Sequence, residues 1–348
     1  MRDVAVVSFA QLPNVRREET RNEVEMLMPV ISEAIERSGI PRKEIGFTVS
    51  GSCDYLVGAP FSFVSGLDAV GAWPPIRESH VEMDGAWALY EAWVRLQHGD
   101  VDSALVYSFG KSSLGSLRDI LVLQLDPYCA APLWPDSISL AALQARAWLE
   151  AGHDESEMAE VAARSRRDAM ANPMAQLTGE RDAATLLKEP YLVSPLRRHD
   201  CPPLSDGAAA VILAAGDVAR RVCERPAWIS GVDHRIEAHG LGVRDLTSSP
   251  STALAGRNTG AANVEVAELH APFTHQEPIL RGALGLGPHV TVNPSGGALA
   301  ANPMMVAGLT RIGEAARRIM DGSATRALGH ATSGPCLQQN LVCVMETR

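Results

Sequence analysis

The chain has 348 residues, 46% hydrophobic, 21% charged and 5% aromatic, which excludes a disordered or fibrous protein and leaves enough apolar material for a sizeable core. Thirty-one Lys and Arg against forty-one Asp and Glu give a formal charge of −10 with no basic stripe, so nucleic acid and anionic membrane are poor partners. No stretch approaches the roughly eighteen apolar residues of a membrane span, and six scattered cysteines (Cys53, Cys129, Cys201, Cys223, Cys336, Cys343) with no Cys-x-x-Cys pair fit a reducing cytosol better than a disulfide frame or a zinc site.

In chain order, the apolar run after Met1 is too short for a secretory leader. Short apolar runs rich in β-branched residues predict buried strands at Val4–Ser8, Ile45–Val49, Ser103–Tyr107, Ala210–Leu213, Ile229–Val232, Val264–Glu268, Val290–Val292 and Leu341–Met345. Helix-period segments lie between most of them. Residues 22–38 put Val24, Leu27, Met28, Ile31 and Ile35 on one stripe that stops near Gly39, with Pro29 as a point of kinking. Strands alternating with such helices predict an α/β fold with parallel or mixed sheets.

One pattern occurs twice. His80 to Gly110 reads as strand, turn at Gly85-Ala86, helix to about Gln97, and strand at Ala104 to Val106. Val290 to Ser333 reads likewise, with a turn at Gly296-Gly297-Ala298, a helix to about Met320 and a strand at Ala327-Leu328. Chance similarity of two such units and two related halves are both open; the second reading also accounts for the length and divides the chain into 1–215 and 216–348, the first carrying a cap at about 112–200 whose stretch 139–187 is rich in helix formers. The Gly-Gly turn admits two readings: a backbone that approaches a ligand and offers N–H groups to an anion or oxyanion, or a strand-to-helix turn that needs positive φ. It lacks the Gly-Lys-Ser/Thr ending of a phosphate loop.

Three segments carry a family resemblance. Asn293 to Gly308 resembles the Gly-Gly-x-x-x-x-x-His-Pro loop of thiolases, one residue shorter; Glu268 to Phe273 resembles their Asn/His-x-x-Phe loop; and Cys201 to Ala210 resembles the Ser-Asp-Gly-Ala-Ala segment of the sterol-carrier-linked thiolases and bacterial lipid-transfer-protein relatives. The order matches the family over nearly the whole chain. The resemblance implies a five-layered αβαβα fold of two pseudo-symmetric halves, a dimer across a sheet edge, and acyl-CoA substrates with no cofactor beyond coenzyme A as part of the substrate.

It also implies a site whose chemistry has changed. Where the family has its nucleophilic Cys at a helix start, this sequence has Glu82, within Val81-Glu82-Met83-Asp84-Gly85. Glu82 reads either as a salt-bridged structural acid or as a catalytic one, and Asp84 as an N-cap. The His of His-Pro becomes Asn302 if the gap lies before it and Pro303 if after. The second catalytic Cys falls on Gly334, and Cys336 lies two residues later. His270 keeps a residue used in the sterol-carrier-linked branch, whose role there is to form an oxyanion hole; His330 is a further candidate in the last loop. Catalytic candidates are therefore His270, Glu82 and His330, and substrate-binding candidates Asn302, Gly297, Ser333 and Cys336.

Three functions are weighed. One is an acyl-CoA enzyme of the lipid-transfer branch that cleaves a carbon-carbon bond by a retro-aldol step in lipid or steroid side-chain degradation, in company with a small OB-fold acyl-CoA-binding protein. The second is a catalytically silent thiolase-like subunit of a hetero-oligomeric complex with an active partner; as to assembly, the resemblance implies a homodimer or a heterodimer with a thiolase-like chain. The third is an acetyl-CoA acetyltransferase, whose mechanism requires the missing thiol.

Overall fold

The computed structural model describes residues 2–348. Its main sheet has ten strands, here β1 Val4–Gln11, β2 Phe47–Gly51, β3 Glu78–Val81, β4 Ser103–Gly110, β5 Gly207–Ala215, β6 Ala227–Ile236, β7 Val266–Glu268, β8 Thr291–Val292, β9 Arg326–Ser333 and β10 Gln339–Glu346. All eight apolar runs read as strands are present, five of them longer than the run. The same spatial order occurs twice, β1-β5-β4-β2-β3 and β6-β10-β9-β7-β8. In each half the first two pairings are antiparallel and the last two parallel. The halves join where β1 pairs antiparallel with β6, Ala5 opposite Trp228 and Val6 opposite Ala227.

Among the helices, α1 Glu23–Ser38, α2 Gly85–His98, α3 Ser137–Glu150, α4 Glu155–Asp168, α5 Pro250–Thr259, α6 Gln276–Leu284 and α7 Ala307–Met320 cover much of the sheets. In the middle layer α2 and α7 bury Leu89, Leu96, Leu309, Ile312 and Ile319 against β residues such as Val49, Val106, Ala327 and Met345. On one outer face α1 lays Met26, Leu27, Val30 and Ile31 over Val7, Leu105 and Ile212. On the other, α3 and α6 place Trp148, Ile279 and Leu280 over Leu328, Val342 and Val344. Five layers result, as the resemblance implies. Strands covered on both faces explain the near-continuous apolar runs in the sequence.

Helix ends follow local chemistry. The Asn22 side chain accepts from Glu25 N–H at 2.9 Å while Glu25 accepts from Asn22 N–H at 2.8 Å, a capping box, and Gly39 ends α1 at φ 67°. The helix runs through Pro29. One expectation is corrected: the segment after Gly296-Gly297 is not a single helix to Met320. Gly297–Ala300 forms one turn, Ala301 is extended at φ −161°, and α7 starts only at Ala307. The break is tertiary, because Asn302 N–H donates to Ser205 Oγ at 3.0 Å and Pro303 bridges Ser205.

Candidate active site

The end of β7 and the loop after it are tied down by buried polar contacts. Glu268, fully buried, accepts from Ser295 N–H at 3.0 Å and from Ser295 Oγ at 2.6 Å, and pairs with Arg311 of α7 at 3.1 Å. Burial pushes its carboxyl up, and Arg311 opposes that shift. Leu269 N–H donates to Asn293 Oδ1 at 2.6 Å, and Asn293 Nδ2 donates to Glu277 at 3.1 Å. The loop carrying His270 is thereby tied to the Gly-rich turn.

His270 is 7% exposed. Its Nδ1 accepts Thr332 N–H at 3.3 Å, so Nε2 bears the hydrogen and donates to Asn302 Oδ1 at 2.9 Å. Burial, aided by Arg311, pushes its pKa down to about 4 despite the Asn302 bond. The imidazole is neutral at pH 7 with both nitrogens engaged. Asn302, half-buried, is oriented by this bond and by Ser205 at its own N–H; its Nδ2 has no partner among the described residues. The result is an amide donor with one end fixed and the other open.

The Ser-Asp-Gly segment secures this arrangement. Besides Ser205, Asp206 accepts from Glu18 N–H at 2.9 Å and from Ser113 N–H at 3.1 Å, drawing two other loops to the same place. A side chain on Gly207 would meet Asn14 Oδ1 at 2.5 Å and Pro303.

His330 lies on β9, fully buried, its Nε2 donating to Asn340 Oδ1 at 3.1 Å and its Nδ1 without a partner. Asn340 Nδ2 in turn donates to Ser251 Oγ and Leu337 O, each at 2.8 Å. Burial first, then the nearby His270, push the His330 pKa down to about 3.

The other sequence candidates make no hydrogen bond to His270 or Asn302 among the described residues. Glu82 is 47% exposed in its side chain, accepts Asp54 N–H at 2.7 Å and sits 3.2 Å from His80, with no bond to His270, Asn302 or His330. Two residues on, Asp84 is buried at the start of α2, where Oδ1 accepts Ala86 N–H at 2.8 Å. It also caps α7: Oδ2 accepts Gly308 N–H at 2.9 Å and Oδ1 accepts Leu309 N–H at 3.0 Å. Burial pushes the Asp84 carboxyl up against these three donors. Cys336 faces the cap, donating Sγ–H to Leu140 O at 3.4 Å beside Val122 and Leu125, and burial raises its pKa to about 11. Gly297, at φ 63°, packs on Asn293, and Gly296, at φ 94°, on Ala169; both are buried. Ser333 ends β9 opposite Gln339, whose side chain reaches Met83 Sδ at 3.8 Å.

Arg311, Thr332 and Asn340 escaped the sequence reading. For Arg311 the available signal was a charge inside the apolar stripe of α7; for the other two there was none. Among the described residues no helix is long and apolar enough to cross a membrane.

No protein-family model matches the chain. It is 28% identical over 221 residues to an acetyl-CoA acetyltransferase of Methanothermobacter thermautotrophicus, covering 53% of this chain and 57% of that protein. It is 24% identical over 224 residues to the benzoylsuccinyl-CoA thiolase subunit BbsB of Thauera aromatica, covering 55% and 58%. Both matches therefore span just over half of those relatives. An acetyl-CoA acetyltransferase of Methanocaldococcus jannaschii is 26% identical over 349 residues, with 90% and 89% covered. Among solved structures, the Ltp2-ChsH2(DUF35) aldolase superposes with a TM-score of 0.83 at 18% identity, covering 99% of this chain and 98% of that one. With the doubled strand order, these likenesses make the chain thiolase-like in fold.

Proposed function

We propose that the chain acts on an acyl-CoA thioester, holding its carbonyl oxygen on the Asn302 amide in a retro-aldol cleavage of a carbon-carbon bond. In that step a β-hydroxyl gives up its proton, the Cα–Cβ bond breaks, a carbonyl forms at Cβ, and the electron pair passes to the thioester as an enolate until Cα is protonated. What supports the reading is the bond from His270 Nε2 to Asn302 Oδ1, which leaves Nδ2 as a fixed, open donor for the developing oxyanion. His270 is the positioning residue and has no nitrogen free for the hydroxyl proton. The acceptor for that proton comes from outside this cluster, and we infer an assembly with a second thiolase-like chain or a small OB-fold acyl-CoA-binding protein.

The experiment is an assay of the chain, alone and with the proteins that co-purify with it, against β-hydroxyacyl-CoA thioesters. Asn302→Ala is expected to lower kcat/KM about 100-fold and, because it leaves the buried His270 Nε2–H unpaired, to cost about 1–2 kcal/mol of stability, so its activity is measured well below its unfolding midpoint. A specific observation favours a second reading: His270 is occupied, His330 is enclosed and Glu82 is engaged at the surface, so none of the three candidate bases is bonded to the open amide. On that reading the chain is a silent subunit, and partner-dependent activity would survive both Asn302→Ala and His270→Ala here. Neither reading uses a thiol. Intact mass after incubation with an acyl-CoA is expected to show no adduct, and an acyl group on Cys336 would return the acetyltransferase reading.

A further inference from the structure

A cavity of about 460 Å³ lies against the last turn of α4 and is lined by Arg166, Thr178, Gly179, Arg181, Arg198 and His199 among others, with neither His270 nor Asn302 on its wall. That volume suits a small molecule. Its charges do not cancel. Of the two carboxylates on its wall, Glu180 is exposed at the rim, and Glu189 is engaged by Arg181 at 3.1 Å and by His199 Nδ1 at 3.1 Å. The Arg166 and Arg198 side chains make no ion pair or hydrogen bond among the described residues. Burial and the neighbouring Arg181 both weigh against the Arg166 charge, and only Glu189 favours it.

His199 supplies an independent sign of a missing partner. It is 8% exposed, its Nδ1 is held by Glu189, and its Nε2 has no hydrogen bond, Asp200 Oδ1 standing 3.6 Å away. The loop that closes the cavity is fixed: Gly179, at φ 140°, donates its N–H to Arg166 O at 3.2 Å. Leu177 N–H donates to Ala300 O at 3.0 Å, two residues before Asn302.

We propose that this cavity is a phosphate-binding site. Two unpaired guanidinium forks match a group with two negative charges and several acceptor oxygens, which a single carboxylate does not provide; His199, whose Nδ1–H goes to Glu189, adds an Nε2–H donor only when its ring takes up a second proton. The phosphates of a coenzyme A handle and free phosphate share that chemistry. The inference does not rest on the reaction assigned to Asn302.

The test is calorimetric titration of the full chain with inorganic phosphate, adenosine 3′,5′-bisphosphate and coenzyme A, repeated on Arg166→Gln/Arg198→Gln. At least one probe is expected to bind with Kd below about 1 mM, and the double substitution to weaken it about tenfold or more with an unchanged unfolding midpoint. Binding of the bisphosphate and coenzyme A without inorganic phosphate identifies the handle as the source; comparable binding of all three identifies free phosphate. If the double variant does not fold, Arg198→Gln alone, an exposed position, carries the test with a several-fold loss. Absence of binding by every probe, or equal affinity in the variant, overturns the proposal.

Discussion

At Asp84 one carboxylate accepts three backbone N–H groups from two helices. Replacing it with Ala leaves three buried donors unpaired, and at about 1 kcal/mol or more for each the expected loss is about 3–5 kcal/mol. Asp84→Asn keeps one acceptor oxygen and should lose roughly half of that. Urea unfolding of the two variants checks this, and equal stability of Asp84→Ala and the parent would refute it. Local sequence shows Asp before a helical run, which is enough to read a cap on α2. Its second helix lies 224 residues further on, a pairing no local pattern encodes. Asn302 is similar: its place beside His270 is legible through family spacing, whereas the closed surroundings of His330 and Cys336 depend on side chains from distant segments.

Among the elements, α7 crosses β1 with almost no space between them. A Cβ on Gly313 would fall 2.3 Å from the Phe9 ring. In an exposed helix Ala is better than Gly by about 1 kcal/mol, but here overpacking costs about 1–3 kcal/mol. Gly313→Ala is therefore expected to lower Tm, and Phe9→Leu in that background to restore part of the loss; a rise in Tm with Gly313→Ala alone would contradict the packing. Elements with local signals were the most legible. Helix α1 carries its own capping box and C-terminal Gly, and the strand runs are apolar because both faces are covered. The stretch from Gly297 to Met320 misleads, since its apolar period continues across Asn302-Pro303 while Ser205, nearly a hundred residues earlier, pulls the backbone out of the helix.

For the molecule as a whole, three buried histidines set an acid limit. Burial pushes the pKa of His270 down to about 4 and those of His275 and His330 down to about 3. An unfolded His titrates near 6.5, so as the pH falls the unfolded chain takes protons first. The stability held by the neutral imidazoles is complete above about pH 6.5 and drains away between there and the folded values. Asp84 and Glu268, whose carboxyls burial raises, act with the opposite sign at the acid end, alike in parent and variant. The urea midpoint is expected to fall steadily from pH 7 to about 4.5. His330→Gln should make that fall shallower by removing one of the three sites, and an unchanged slope would show that His330 is not part of it.

The shared carboxylate has a consequence for any attempt to take the molecule apart. A cut between β5 and β6 would give two pieces of like strand order, yet they would not be equivalent. One would keep an acceptor with two of its three donors gone; the other would begin its central helix on bare amides at Gly308 and Leu309. Each half completes the other, and the duplicated architecture cannot be reduced to a self-sufficient single copy.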